Sequence, residues 1–127
     1  MILGTGIDIV EIDRFKKAVK NYGSSFLNKI FTKNEIAYSK KRRFSGQHFA
    51  ARFATKEAVL KAFGDSPGTI RKWTDIEVVN DKNGKPHIIF HGSAELLKKK
   101  KKVADVVISM AHSRNYAVAN AILISKG

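Results

Sequence analysis

The order of the secondary-structure patterns limits the possible folds more than any other feature of the sequence. Strand and helix patterns are mixed along the chain, and strand patterns gather at its C-terminal end. This order favours an α+β fold, in which helices pack against an antiparallel sheet. With 127 residues the chain is expected to form one domain, residues 1–127, because two ordinary domains would need more.

The first third of the chain contains two helix signals. A basic amphipathic pattern predicts a helix over residues 14–22, with Asp13 as its N-cap and Gly23 as its end. A second helix is expected to begin directly after Thr32, because Thr32 and Glu35 have the spacing of a capping box.

The longest helical pattern follows, from about Gln47 to Phe63, and ends at Gly64. Large apolar residues recur in it at helical spacing, and alanines fill the positions between them. These residues are Phe49, Phe53, Leu60 and Phe63, with Ala50, Ala54, Ala58 and Ala62. A loop is expected over residues 65–73, and a short helix beginning at residues 93–95 runs into five consecutive lysines.

Strand patterns occur at the start of the chain and again after the longest helix. At the start, Ile7 and Ile9 share one face of a strand by their spacing of two, so Asp8 points to the other face. An Asn83-Gly84 pair favours a hairpin. The predicted strands are residues 2–12, 76–79, 87–91, 106–110 and 116–124.

The net charge indicates an anionic partner. The chain has 24 Lys and Arg against 11 Asp and Glu, a formal charge of +13. Nucleic acid, a membrane surface, a polyphosphate ligand and an acidic protein would each satisfy this charge. Composition alone leaves all four open.

Cysteine content and hydropathy exclude several classes of protein. The sequence contains no cysteine, which excludes disulfides and cysteine-based metal sites. No apolar run reaches the length of about 18 residues that a membrane span needs. The N-terminal segment carries acids where a signal peptide carries its basic region. A soluble, cytoplasmic protein is expected.

Four charged side chains lie close together on the longest predicted helix. Arg52 and Lys56 are four residues apart, as are Glu57 and Lys61, so each pair spans adjacent turns. One interpretation is a solvated face with one Glu–Lys pair, worth about 0.3–0.5 kcal/mol. The other is a carboxylate that binds Mg²⁺ beside cations that bind phosphate, since Mg²⁺ takes one or two protein carboxylates plus waters and phosphates. Asp8 is a candidate second ligand, because strands disfavour Asp.

Two segments, taken together, resemble the signatures of holo-acyl-carrier-protein synthases, the AcpS type of 4'-phosphopantetheinyl transferase. Residues 4–15 read GTGIDIVEIDRF, and residues 49–62 read FAARFATKEAVLKA, which contains the form (W/F)xxKEAxxKA. The hairpin NGKP at 83–86 and the segments ISMAHS at 108–113 and YAVA at 116–119 follow in the family's order. The resemblance covers nearly the whole chain.

The resemblance implies a phosphopantetheinyl-transferase-like fold, a homotrimer and active sites at the subunit boundaries. Asp8 and Glu57 resemble the Mg²⁺ ligands, and Lys61 resembles the lysine that contacts the pyrophosphate. Arg52 and His112 match positions that bind coenzyme A, at its 3'-phosphate and adenosine end.

Three further positions carry weaker implications. Arg43 is assigned to the same phosphate-binding group, although it lies in a Lys/Arg run that leaves the register open. Arg14 resembles a helix residue that binds acidic side chains of the carrier protein. Ala111 stands where the family often has Ser, and little effect is expected.

The activity implied by the resemblance is the transfer of 4'-phosphopantetheine from coenzyme A to a serine of apo-acyl carrier protein. The reaction would depend on Mg²⁺, release adenosine 3',5'-bisphosphate and support fatty acid biosynthesis. Asp8, Glu57 and Lys61 would be the catalytic residues, and Glu57 is the first candidate for the base that accepts the serine proton. No nucleic-acid or membrane partner is expected.

Two other functions fit the charge without an active site. A nucleic-acid-binding module would bind RNA or DNA with an affinity that falls steeply with salt. Against it, the five-lysine run carries no aromatic residues, and no RRM, KH or zinc-finger signature occurs. A structural interaction protein would not be stabilised by coenzyme A and Mg²⁺.

Overall fold

The computed structural model describes residues 1–64 and 70–126, and it confirms the α+β architecture. A 3₁₀ turn at Trp73–Asp75 precedes the second strand. The elements in chain order are β1 (Ile2–Glu11), α1 (Ile12–Ile30), α2 (Lys33–Lys40), α3 (Ser45–Phe63), β2 (Ile76–Asn80), β3 (Pro86–Phe90), α4 (Gly92–Lys100), β4 (Val103–His112) and β5 (Tyr116–Ser125).

The strands form two antiparallel sheets. One has three strands in the order β1-β5-β4, and the other is the hairpin of β2 and β3. The hairpin confirms the Asn-Gly signal, since Gly84 adopts φ 83°, a conformation that glycine reaches without steric cost. The C-terminal pair β4 and β5 therefore lies beside the N-terminal strand, and the two ends of the chain share one sheet.

Helix α3 packs directly on one face of the three-stranded sheet. The contact is close because β1 presents glycines to the helix. A Cβ added at Gly6 would lie 2.0 Å from the carbonyl oxygen of Ala58, and one at Gly4 would lie 2.1 Å from that of Ala62. The alternation of β1 thus points Gly4, Gly6 and Asp8 toward α3.

The opposite face of this sheet is uncovered in the single chain. Ile7 and Ile9 on β1 and Val107 on β4 are exposed, although all three are large apolar residues. On β5 between them, Val118 and Ile122 lie on the same face by their register with Ile9 and Val107. This largely apolar surface, interrupted by the hydrogen-bonded pair Ser109 and Asn120, is typical of a protein interface.

The first helix differs from its prediction at both ends. It begins at Ile12 with Glu11 in the N-cap position, so the assignment of Asp13 as N-cap was wrong. Asp13 lies inside the first turn, where a negative charge favours the helix N-terminus. Gly23, at φ 65°, breaks the helix as expected, but a second helical segment continues to Ile30. Its apolar pattern is short, and burial of Leu27 and Ile30 holds it in place.

The other element boundaries agree with the sequence to within a few residues. The Thr32–Glu35 capping box is present, and Gly64 ends α3 in the left-handed conformation. Of the loop expected over residues 65–73, residues 65–69 lie outside the described residues, and its last residue begins the 3₁₀ turn. Among the helices that the structure does describe, none combines the length and apolarity needed to cross a membrane.

Candidate active site

An ion pair joins β1 to the last turn of α3. Lys61 donates hydrogen bonds from Nζ to Asp8 Oδ1 at 2.9 Å and to the carbonyl oxygen of Ile7 at 3.2 Å. The Asp8 side chain is only 10% exposed, whereas that of Lys61 is 55% exposed. The carboxylate is therefore held in a fixed position by the sheet, and the lysine reaches it from the solvent side.

Glu57 lies one helical turn before Lys61 and is close enough to Asp8 to respond to its charge. Burial raises the pKa of Glu57, the negative charge of Asp8 raises it further, and Lys61 opposes both. Hydrogen bonding to Asp8 raises the pKa of Lys61 in turn. The structure thus brings Asp8, Glu57 and Lys61 together, with two carboxylates sharing one cation.

The two carboxylates are candidate ligands for a divalent cation. In residues 1–64 and 70–126 no group of three or more His, Cys, Asp or Glu side chains is placed to bind a metal. A pair of carboxylates without a third ligand is the donor set that Mg²⁺ uses when waters and substrate phosphates complete its coordination. The repulsion that raises the pKa of Glu57 would be relieved by a divalent cation. Asp8 and Glu57 are the residues that would hold it.

A second group of side chains surrounds Arg52, near the start of α3. Arg52 is charged but only 2% exposed. Its guanidinium lies 4.0 Å from the centre of the Tyr38 ring, Nη2 donates to Oδ1 of Asn80, and Nε has no partner among the described atoms. Arg42 also lies 4.0 Å from the Tyr38 ring. Burial opposes ionisation of Tyr38, but hydrogen bonds and charges from the two arginines outweigh it and lower its pKa.

Two histidines complete this group. The rings of His48 and His112 are 5.5 Å apart in an edge-to-face arrangement, and His48 is 6.4 Å from Tyr38. Burial lowers the pKa of His48, and the charges of Arg52, His112 and Arg42 lower it further. This second group, defined as Tyr38, Arg42, His48, Arg52 and His112, contains no carboxylate. Its accumulated positive charge favours an anion.

Sequence reasoning missed three members of this group. His48 lies four residues before Arg52 on α3, a spacing that places it on the adjacent turn and could have identified it. Tyr38 and Arg42 come from α2 and the segment after it, so only the packing of α2 on α3 brings them in. Arg43 directly follows Arg42; its guanidinium is 5.3 Å from the Phe44 ring, and its assignment stays a prediction.

Arg14 is exposed on α1, at a separate position from both groups. It lines a cleft of about 240 Å³ at the junction of β1, α1 and β5. The other lining residues are Ile9, Val10, Glu11 and Tyr116. The cleft is open to a partner, and the role predicted for Arg14 remains a prediction.

The solvated-face interpretation of α3 was wrong for Arg52 and Lys56, although Lys61 is exposed. Arg52 is 2% exposed and Lys56 is 0% exposed, so this stripe of the helix faces the interior. A buried lysine needs a full set of acceptors, and Lys56 finds them in segments that are distant in sequence.

Comparison with known proteins gives the family of the chain. The model of the 4'-phosphopantetheinyl transferase superfamily matches residues 4–121. A holo-[acyl-carrier-protein] synthase of Protochlamydia amoebophila is 43% identical over 122 residues, which cover 96% of this chain and 98% of that protein. The holo-[acyl-carrier-protein] synthase of Neisseria meningitidis has a similar structure, with a TM-score of 0.89 at 27% identity over 98% of this chain and 100% of that one.

A third relative was solved with a ligand. The holo-(acyl-carrier-protein) synthase of Bacillus anthracis, in complex with CoA (3',5'-ADP), has a TM-score of 0.81 and 36% identity, and the match covers 99% of each chain. The chain belongs to the 4'-phosphopantetheinyl transferase superfamily and, within it, to the holo-[acyl-carrier-protein] synthases.

Proposed function

We propose that this protein transfers 4'-phosphopantetheine from coenzyme A to a serine of apo-acyl carrier protein and releases adenosine 3',5'-bisphosphate. The observation that carries the proposal is the group formed by Asp8, Glu57 and Lys61 where β1 meets α3. The coenzyme A complex of the Bacillus anthracis relative supports the choice of donor. The product would serve fatty acid biosynthesis in the cytoplasm.

Asp8 and Glu57 would bind the metal ion, and Lys61 would stabilise the charge of the leaving group. Mg²⁺ held by Asp8 and Glu57 would neutralise the pyrophosphate oxygens and orient the phosphoryl group for in-line displacement. The serine oxygen forms a bond to the β-phosphorus as the bond from that phosphorus to the bisphosphate oxygen breaks. Lys61 is exposed enough to leave Asp8 and donate to the phosphate oxygens, where it stabilises the leaving group.

The serine proton needs an acceptor, and Glu57 is the candidate. Burial raises the pKa of Glu57, which favours it as a base, but a carboxylate that also holds a metal ion is a poor base unless a water relays the proton. Asp8 is already hydrogen-bonded to Lys61, which makes it the weaker choice. Asp8 therefore acts as a ligand, and Glu57 acts as ligand and, through a water, as base.

The group around Arg52 would bind the nucleotide end of coenzyme A. Arg52 and His112 supply the predicted contacts, Arg42 adds positive charge beside them, and the lowered pKa of His48 leaves it a neutral hydrogen-bonding group. A phosphate monoester is recognised best by arginine guanidinium groups, which donate two hydrogen bonds in parallel. Nε of Arg52 has no partner among the described atoms, but it is buried, so a ligand would reach it only after neighbouring side chains move.

The oligomer would bury the open face of the three-stranded sheet. The exposed isoleucines on that face flank Asp8 in β1, and the Asp8 side chain points to the other face. A homotrimer built on this face would place each active site at a subunit boundary. Each chain would contribute one domain, residues 1–127. Arg14, beside the cleft at the start of α1, would bind the acidic carrier protein.

The direct test is the intact mass of apo-acyl carrier protein after incubation with this protein, coenzyme A and Mg²⁺. The carrier is expected to gain the mass of one phosphopantetheine, and removal of Mg²⁺ with EDTA should prevent the gain. Asp8→Asn should be inactive, whereas the matched control Asp105→Asn, an exposed strand residue of the same sheet, should be active. An unchanged carrier mass with wild-type protein would refute the proposal.

A further inference from the structure

No side chains interlock where α3 packs against the glycines of β1. On the side of β1 that faces the helix, Gly4 and Gly6 lie against the backbone of Ala58 and Ala62, with no side chain between them. Helices normally lock into their neighbours when ridges of side chains enter grooves. Glycine and alanine allow close approach but offer little resistance to a helix that slides along its own axis. The hydrogen bonds of Lys61 join the two elements at the end of α3, so contacts of α3 with other elements are needed to help set its register.

Lys56 provides directional contacts of the required kind. It is 0% exposed, and its Nζ lies 2.7 Å from Glu35 Oε1 and 2.7 Å from the carbonyl oxygen of Ile76. The carbonyl oxygens of Ile30 and Trp73 lie 2.9 Å and 3.2 Å away. An ammonium has three protons, so four acceptors surround it completely. They belong to the end of α1, to α2, to the 3₁₀ turn and to β2.

The partner carboxylate is held as firmly as the lysine. Glu35 is 1% exposed. Its Oε1 also accepts from the backbone N–H of Thr32 at 2.9 Å, and its Oε2 accepts from that of Val78 at 2.8 Å. The ion pair is therefore fixed to α2 and β2 and cannot follow a displacement of α3 without losing several hydrogen bonds.

We propose that the buried Lys56–Glu35 ion pair is a positioning device, which fixes the register of α3 on β1 and so sets the distance from Glu57 and Lys61 to Asp8. Lys56 directly precedes Glu57 in α3. A slip of one residue moves a helix by about 1.5 Å. A misplacement of about 1 Å can lower a rate by about 10²-fold. The catalytic consequence rests on the proposed function; the effect on register does not.

The competing explanation is that the ion pair stabilises the fold without setting the register of α3. Buried pairs can often be replaced by apolar residues without loss of stability. Lys56→Met and the double variant Lys56→Met/Glu35→Leu remove the directional bonds but keep apolar volume. Leu97→Ala is the matched control, because Leu97 is buried in α4, away from the ion pair, and its truncation lowers stability by another route.

The test combines two readouts at a temperature where circular dichroism shows every variant to be folded. The first is the backbone amide resonances of Gly4 and Gly6, which report the contact with α3 without reference to activity. The second is kcat and the Mg²⁺ concentration for half-maximal transfer. In both Lys56 variants the two resonances should shift, kcat should fall about 10²-fold and the Mg²⁺ requirement should rise. The KM for carrier protein and the Leu97→Ala values should stay near those of wild type.

Three results would overturn the proposal. The first is that the glycine resonances are unchanged in the Lys56 variants. The second is that the resonances shift while kcat and the Mg²⁺ requirement stay at wild-type values. The third is that Leu97→Ala changes the resonances, kcat and the Mg²⁺ requirement as much as the Lys56 variants do. If the wild-type protein transfers nothing, the proposed function fails, and the glycine resonances alone decide the register. If Lys56→Met does not fold, Glu35→Gln, which keeps the side-chain size and removes the charge, should shift the same resonances in the same direction.

Discussion

Substitution of Gly6 by alanine is expected to force β1 away from α3. The added Cβ would lie 2.0 Å from the carbonyl oxygen of Ala58 and 2.7 Å from the backbone nitrogen of Ala62. Ordinary contact begins at 3.4 Å, so the strand and the helix would have to separate by 3.4 − 2.0 = 1.4 Å at this point. Both neighbours are main-chain atoms, and no rotamer change can relieve the overlap.

The expected cost follows from this geometry. Overpacking a well-packed interior costs about 1–3 kcal/mol, and a backbone-to-backbone overlap belongs at the upper end. Asp8 is two residues from Gly6 on the same face of β1, so the displacement also moves the carboxylate away from Glu57. Because catalytic groups must be held within about 0.5 Å, we expect transfer to fall by about 10²-fold or more.

Gly46→Ala is the matched control. Its added Cβ would meet the side-chain carbons of Lys16, with Cε nearest at 2.5 Å, and that long exposed side chain can move aside. Gly46 lies in the first turn of α3, where alanine is favoured over glycine by as much as about 1 kcal/mol. Urea unfolding followed by circular dichroism, with transfer rates on the same samples, measures both effects. A Gly6→Ala protein with the wild-type urea midpoint and full activity would refute the reasoning.

Three further predictions concern the site, the pH dependence and the partner. Asp8→Asn and Glu57→Gln should each abolish transfer while leaving the circular dichroism spectrum and urea midpoint close to wild type, and full activity in either variant would remove its assigned role as a ligand. Burial raises the pKa of Glu77, but hydrogen bonds from neighbouring side chains and the charge of His91 outweigh it and leave the pKa below its ordinary 4.5. A lowered folded pKa contributes stability that is present above pH 4.5 and is lost as the pH falls through the folded value, so Glu77→Gln should flatten the acid dependence of the urea midpoint. Added salt should lower kcat/KM for the carrier protein, with a smaller change in the KM for coenzyme A. Arg14→Ala should weaken this salt dependence of kcat/KM.

Local signals in the sequence predicted most of the elements. Thr32 and Glu35 marked the start of α2, Asn83-Gly84 marked the hairpin, and Gly64 marked the end of α3. Each of these signals acts through its immediate neighbours, so it can be recognised without knowledge of the fold.

The tertiary arrangement of charges could be predicted only in part. Asp8 attracted attention because a carboxylate is uncommon inside a strand, and the family resemblance joined it to Glu57. The burial of Lys56 was not predictable, because a lysine on a helix is usually exposed and its acceptors come from four separate segments. The Tyr38 phenol beside Arg52 likewise depends on how α2 packs on α3.

The side chain of Glu35 takes part in two sets of interactions. It closes the capping box that starts α2, and it forms the ion pair that holds α3. The first turn of α2 therefore cannot fray while α3 stays in place, since opening one breaks a contact of the other. The hydrogen-bonded amides of Thr32, Glu35 and Ile36 should exchange with solvent at the rate of the middle of α3, as one cooperative unit, although short helices of this length usually exchange from their ends.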